Sequence, residues 1–410
     1  MNLDYHFKTR MCNKLLFRSA GIITSLFLVN AMIPKAQAVD LVGSTVISSG
    51  LNNPRGLAFA KDGTLYVAEA GLGAGNGSGG FGVGIGLTGS ISAISNPSSS
   101  NPTTEKIVTG LASLGDTDFG FPEVQGPAGI SFESTNQLDI IMTESTKGLN
   151  LKPNAVGADQ FGQLLRANVK SGNFKAIADV GNFDYDWTGQ NQNAQFAPPG
   201  QFPDANPYGV LIGLSKYVVD AGANTLDQVN PNGTVEILAY LSNPKVNDAV
   251  PTSIAQGADG YLYISTLGSL VPTQAAIYKV NPSLPAIQFL NDSSLWASGF
   301  TSITSASLGS NALYLTEFDS GNLIKIDINP DGSAGKRTTL LSSLTNPTGV
   351  AVGPDGSIYL SNKGISSGGG EVIKVDVNQV PEPLNVLGSF TGLALLGWVS
   401  NTFKGKKSSK

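Results

Sequence analysis

Histidine and cysteine are almost missing from this chain of 410 residues: it has one of each, His6 and Cys12. Both fall in an N-terminal stretch that reads as a removable export signal. The processed chain then has neither. That excludes a Ser-His-Asp triad, a Cys-His pair, a disulfide and a typical zinc site, each of which needs one of these side chains. Carboxylates, Lys, Tyr, backbone groups or an oxygen-ligated metal remain for any chemistry, and no catalytic residue is assigned. Charge is also scarce, at 13% of residues. No long stretch repeats its apolar residues every three to four positions, which argues against an all-helical fold.

Glycine and proline are plentiful, at 50 and 22 residues, and 41% of the chain is hydrophobic. Such a composition supplies a large core and many turns, and it favours strands over helices.

Both ends carry processing patterns. Lys8, Arg10, Lys14 and Arg18 precede an apolar run from Ala20 to Ile33, and Ala36-Gln37-Ala38 follows. A basic start, a short apolar stretch and small residues before the cut predict cleavage by signal peptidase between Ala38 and Val39. At the far end, Pro381-Glu382-Pro383 leads into a mostly apolar run, Leu384 to Val399, and then Lys404, Lys406, Lys407 and Lys410. The cations should stay cytoplasmic and leave the preceding domain outside. This tail resembles the PEP-CTERM sorting signal of bacterial exosortase substrates. The resemblance implies a transient anchor, cut by an exosortase near the Pro-Glu-Pro; a permanent single-span anchor is the alternative. The expected organisation is an export signal at 1–38, a folded domain at 39–379 and a sorting tail at 380–410. The membrane is touched only through that tail, and the mature protein resides in the periplasm, on the cell surface or outside the cell.

Between the two signals, residues 39–383 hold 29 acidic and 16 basic side chains. An acidic surface of this kind argues against nucleic acid and anionic membranes as partners.

The middle of the chain repeats. "NNPRGLAFAKDGTLYVAEAG" (52–71) matches "TNPTGVAVGPDGSIYLSNKG" (345–364) almost position for position. Looser copies stand at 126–146, 206–222, 250–268 and 299–321. Each gives a strand, a turn and a second strand. A third strand follows, as in "GSISAIS" or "NLIKIDIN", and a fourth precedes the next copy: "KIVTG", "FKAIAD", "VEILAY", "IQFLND" and "TTLLSS". Four antiparallel strands per unit, with six units of roughly 57 residues, predict an all-β, six-bladed β-propeller. The one missing fourth strand is supplied by "GSTVISS" (43–49), which would close the last blade and leave no open edge.

In a propeller blade the start of the first strand and the end of the second share one face. The starts carry Arg55, Ala128, Tyr208, Thr252, Thr301 and Thr348. The ends carry Glu69, Glu144, Asp220, Thr266, Glu317 and Asn362. Two readings compete for this ring. In one, the acids and Asn362 accept backbone N–H groups in local turns. In the other, Glu69, Asp220, Glu317 and Asn362 are oxygen ligands that could hold Ca²⁺. A polar ligand could instead bind there, with Arg55, Tyr208 and Glu144 as partners. Gly84-Ile85-Gly86-Leu87-Thr88-Gly89 fits G-x-G-x-x-G but precedes a strand, so no helix N-terminus awaits a pyrophosphate. It is read as a mobile loop over the ring. The insertion at 181–209 carries Tyr185, Trp187, Phe196 and Phe202 and could cover a ligand or pack on the rim.

The unit motifs "VVDAGANTLDQVNPNG" (218–233), "GFTSITSASLGSNALYLTEFDSGNLIKIDINPDG" (299–332) and "PTGVAVGPDGSIYLSNKGISSGGGEVIKVD" (347–376) resemble the ScyD/ScyE family. Its members are secreted bacterial propellers related to NHL-repeat proteins. In cyanobacteria they are associated with the gene cluster for the pigment scytonemin. The likeness spans nearly everything from Val39 to Asn378. Thr266 departs from it, standing where the other copies have an acid. The resemblance implies a non-catalytic binding or scaffold protein, with a small aromatic pigment precursor as the ligand. Two other functions stay open. A divalent-metal-dependent hydrolase or lactonase would use Glu69, Asp220, Glu317 and Asn362, and a structural protein would bind a matrix component.

Overall fold

In the computed structural model of the protein, six antiparallel sheets form the six blades of a β-propeller. The structure describes residues 41–75, 80–117, 122–149, 155–242, 248–285 and 287–377. The innermost strands are Pro54–Phe59, Pro127–Ser134, Pro207–Ile212, Pro251–Gln256, Ile303–Leu308 and Gly349–Val352. Each packs against the next in order, and the sixth packs against the first. The ring is therefore closed.

The predicted closing strand is present. Leu41–Leu51 pairs antiparallel with Gly370–Val377, with Ser44 opposite Val375 and Val46 opposite Ile373. It is the outermost strand of the sixth blade, so the two ends of the domain share one sheet. The middle strands lie between neighbouring blades and are buried along their length, as in Ile358, Tyr359, Leu360, Ser361 and Asn362. That is why these segments read as continuous β-branched and aromatic runs rather than strict alternations. The turns follow local chemistry. Asp355 Oδ1 accepts from Ser357 N at 3.1 Å, and Gly356 takes φ +79°, open to glycine without strain.

Glycine two residues after the proline at the inner-strand entry lets blades approach. A Cβ on Gly129 would sit 2.8 Å from Tyr208 O of the next blade, and one on Gly349 would sit 2.2 Å from Arg55 O. Blades four and five have Ser253 and Ser305 there.

Four expectations from the sequence are corrected. "IQFLND" is not the fourth strand of the fourth blade. Gln288–Leu290 instead pairs parallel with Val235–Leu241 and covers the outer edge of blade three. The fourth strand of blade four is Leu295–Phe300. Trp296 fixes it there, edge-on to Tyr263 at 5.1 Å and donating its indole N–H to Gly332 O at 2.9 Å. Second, the insertion contains a helix, α1 (Val180–Asn191), capped by Asp179, which accepts from Asn182 N. Its sequence, VGNFDYDWTGQN, holds two glycines and few strong helix formers, so packing rather than propensity makes it helical. Third, Gly84–Gly89 is the first half of the strand Gly84–Ser95, not a loop over the ring.

The fourth correction concerns register. In blade one Pro54 pairs with Glu69, and in blade three Pro207 pairs with Asp220. In blade two the partner of Pro127 is Met142, so Glu144 lies beyond the strand. In blade five Ile303 pairs with Glu317, which makes Thr304, not Thr301, the counterpart of Arg55 and Tyr208.

The processing positions Ala38, Val39, Pro381, Glu382 and Pro383 lie outside the described residues. Among the described residues no helix is long and apolar enough to cross a membrane.

Candidate functional site

The backbone N–H that enters each inner strand needs an acceptor, because the chain turns there and leaves the sheet ladder. A side chain supplies one in every blade. Glu69 accepts from Asn52 N at 2.7 Å, Asp220 from Asn206 N at 2.7 Å, Glu317 from Thr301 N at 2.8 Å and Asn362 from Thr345 N at 2.8 Å. In blade two Thr143 does this for Gly126 N at 2.8 Å. Blade four has Thr266 at the strand end, bonded to Ala276 instead; the N–H of Val250 goes to Asn224 of blade three at 2.7 Å.

The four expected calcium ligands thus lie in four separate blades, each held in a local network. Glu69 also accepts from Ser92 and Lys106, Glu317 from Ser320 and Asn322, and Asn362 donates to Glu371. The structure does not bring them together. Among the described residues, no three His, Cys, Asp or Glu side chains are placed to hold a metal ion. The donors do not fit a cation ring at the channel mouth.

Arg55 is equally engaged. It is buried, and its guanidinium donates to Gly364 O at 3.2 Å and Val124 O at 3.1 Å, tying blade six to blade one. Tyr208 is half-buried and lines the channel.

Glu144 differs from the other five. Thr143 does the capping, and the Glu144 carboxyl accepts no hydrogen bond among the described residues. Its backbone stands at φ +66°, a costly conformation for a side chain that branches beyond Cβ. Burial, reinforced by Asp204, Glu123, Asp220 and Asp116, pushes its carboxyl up to about 8. Burial also raises Glu123, against the nearby Arg55, and raises Asp204 to about 6. This acidic, partly protonated patch spans the ends of blades one to three, beside Tyr208.

The channel itself encloses about 440 Å³. Its wall is built from inner strands of all six blades, including Ile130, Val210, Ile254, Ala306 and Val350, with Thr252, Ser253, Thr304 and Thr348 between them. Among the described residues, no Asp, Glu, Lys or Arg lines it. Ser253 Oγ is buried there without a hydrogen-bond partner. The aromatic insertion does not cover this space. Trp187 stacks on Phe196 at 5.8 Å, and Phe196 packs on Tyr240 at 4.7 Å and Phe289 at 5.2 Å, at the outer edge of blade three.

Sequence reasoning missed Thr143, Thr304, Glu123, Asp184 and Asp227. Thr143 follows Met142, the partner of Pro127, and could be found by aligning the copies on that proline; blade five has Ile303 in its place, so nothing in its sequence marked Thr304.

No family model and no curated protein matches the chain. Solved structures do. A glucose-dehydrogenase-type oxidoreductase from Thermus thermophilus is 13% identical, with 82% of this chain and 99% of that one covered and a TM-score of 0.52. A second glucose dehydrogenase is 12% identical over the same 82% and 99%, with a TM-score of 0.51. At such identity the likeness is one of fold. What this chain has in common with both is the six-bladed β-propeller.

Proposed function

We propose that the protein is an exported, non-catalytic propeller of the ScyD/ScyE type that binds a small aromatic molecule in its central channel. The observation that carries this reading is the channel wall. It offers about 440 Å³ of space with apolar side chains, Thr and Ser between them and, among the described residues, no charged group. Such a wall suits an uncharged ring system with a few hydrogen-bonding substituents. Tyr208 at the mouth presents a ring for stacking and a hydroxyl for hydrogen bonding. Glu144, largely protonated at neutral pH, can donate to a carbonyl or hydroxyl that projects from the mouth. The surrounding acids Glu123 and Asp204 disfavour anionic ligands. A scaffold role fits the absence of His and Cys from residues 39–383 and the structural engagement of Glu69, Asp220, Glu317 and Asn362. Export and anchoring follow from the Ala38/Val39 and Pro381-Glu382-Pro383 signals. A pigment precursor of the scytonemin type falls within this ligand class.

Calorimetric titration of the purified protein with a panel of phenols and indoles tests the reading. Saturable one-to-one binding is expected, weakened at least tenfold by Tyr208→Ala. If no member binds, or if Tyr208→Ala binds unchanged, the channel is not the site.

A further inference from the structure

Helix α1 turns a fully buried carboxyl, Asp184, onto blade three. It lies against Asp220, at the end of the blade's second strand, and Asp227, in the third. All three residues have 0% exposure. Two of their six oxygens are held from outside. Asp220 Oδ1 accepts from Asn206 N, Gly222 N and Ala223 N, and Asp227 Oδ2 accepts from the Thr225 hydroxyl. The other four have no partner beyond the cluster: both oxygens of Asp184, Oδ2 of Asp220 and Oδ1 of Asp227.

Three ionised carboxylates cannot share a dry interior without a large penalty. Two protons resolve the problem. One on Asp184 is donated to Asp220 Oδ2. One on Asp227 Oδ1 is donated to the remaining oxygen of Asp184. All four orphan oxygens are then satisfied by two O–H···O bonds, and the single negative charge rests on Asp220, where three N–H groups stabilise it. The three side chains are not arranged around a cation centre.

What α1 holds gives this cluster a consequence. One helical turn on, Thr188 Oγ1 donates to Asp204 O at 2.8 Å and accepts from Asp204 N at 3.0 Å. Asp204, Ala205 and Asn206 run directly into Pro207 and Tyr208 at the channel mouth. Asn206 N is held by Asp220 and its side-chain oxygen accepts from Glu144 N. The helix and the lip of the channel are thus fastened through the same acids.

We propose that Asp184, Asp220 and Asp227 form a proton-bridged latch that holds α1 and the lip segment 204–206 on blade three while protonated and loosens both when it ionises. Burial raises all three carboxyls above the usual range, and neighbouring acids add to it: Asp227 and Asp220 for Asp184, Asp220 for Asp227 and Asp204 for Asp220. The charged groups that act on the cluster from the elements around it are acids as well: Asp204 before the inner strand and Glu144 at the end of blade two. On α1 itself, Asp186 is exposed and paired with Lys147, and the cap Asp179 is exposed. No cation among these groups reaches the cluster to offset its ionisation. The folded state therefore binds more protons than the unfolded chain, and the latch weakens as pH rises past the ordinary carboxylate range and Asp184 and Asp227 ionise. This holds whatever the channel binds.

Hydrogen exchange on the intact protein at pH 5 and pH 8.5, corrected for the intrinsic pH dependence of exchange, tests the latch. Protection across 180–206 should fall at least tenfold at the higher pH, relative to the strand Ala312–Glu317 of blade five. Asp184→Asn should flatten that response, because the carboxamide donates to Asp220 without carrying a charge. If that variant does not fold, Asp227→Asn gives the same reading. Equal protection at both pH values, or an undiminished response in the foldable variant, would overturn the proposal. So would recovery of protection at pH 8.5 on adding millimolar Ca²⁺, which would make the cluster a cation site.

Discussion

Thr348 donates its hydroxyl to the carbonyl of Pro54 at 2.6 Å, a bond that runs from the last blade to the first. Thr252 makes the same bond to Ile303 O at 2.8 Å, and Thr304 to Pro347 O at 2.8 Å. Half of the blade junctions are therefore fastened by a buried threonine at one repeat position. Thr348→Val keeps the shape and leaves Pro54 O without this donor. The expected cost is about 1–3 kcal/mol in urea unfolding, and Thr348→Ser should recover much of it. An unchanged midpoint for the valine variant would show that the junction does not depend on this bond.

Ring closure also rests on the strand Leu41–Leu51. Without it, Gly370–Val377 presents a bare edge of N–H and C=O groups, which invites pairing with another chain. A protein beginning after Leu51 should melt earlier and form dimers or larger species in light scattering. A monomer with the melting temperature of the longer chain would mean that the other contacts at the seam suffice. These include the Ser361 hydroxyl on Arg55 O at 2.8 Å.

The repeat made the blade count and the closing strand readable, because both follow from local alternation and turn residues. The misreadings share one cause: each needed a tertiary partner. "IQFLND" has the pattern of a strand, but nothing within it says which sheet it joins; Trp296 and Tyr263 decide that. Helix α1 has weak propensity and exists because Asp184 packs on blade three and Thr188 bonds to Asp204. The acids at the strand ends of blades one, three and five accept the N–H that enters the inner strand. Their chemistry was not legible, since a carboxylate that caps a backbone N–H and one that binds a cation look alike in sequence. Glu144 looked equivalent to Glu69 until the pairing of Pro127 with Met142 moved it out of the series.

Arg166 and Asp139 form a two-pronged pair at 2.6 and 2.7 Å between adjacent strands of blade two. Asp139 has no exposure, and burial raises its carboxyl even against this partner. Arg166→Leu would leave a buried acid uncompensated, at a cost of about 3–5 kcal/mol. Adding Asp139→Leu should restore part of that loss, since two apolar groups can replace a buried pair. If the double variant is as unstable as the two single losses combined, the coupling energy is zero and the two side chains do not stabilise each other.

Glu144 gives a pH dependence whose sign can be stated. Its carboxyl is raised to about 8, first by burial and then by the acids around it. The folded protein therefore keeps this proton over a range where the unfolded chain has lost it. Stability falls as pH climbs from about 4 toward 8 and levels off above. Glu144→Gln removes the titration but leaves the backbone N–H, which donates to Asn206, in place. The variant and the parent should melt alike at pH 4, and the variant should melt higher at pH 9. Asp204 and Asp220 titrate in the same window and are coupled to Glu144, so the difference reports the Glu144 proton together with its effect on these two acids. Thermal melts of the pair at half-unit pH steps make the comparison. A difference that stays flat across the range would mean that Glu144 ionises normally and is well solvated at the mouth.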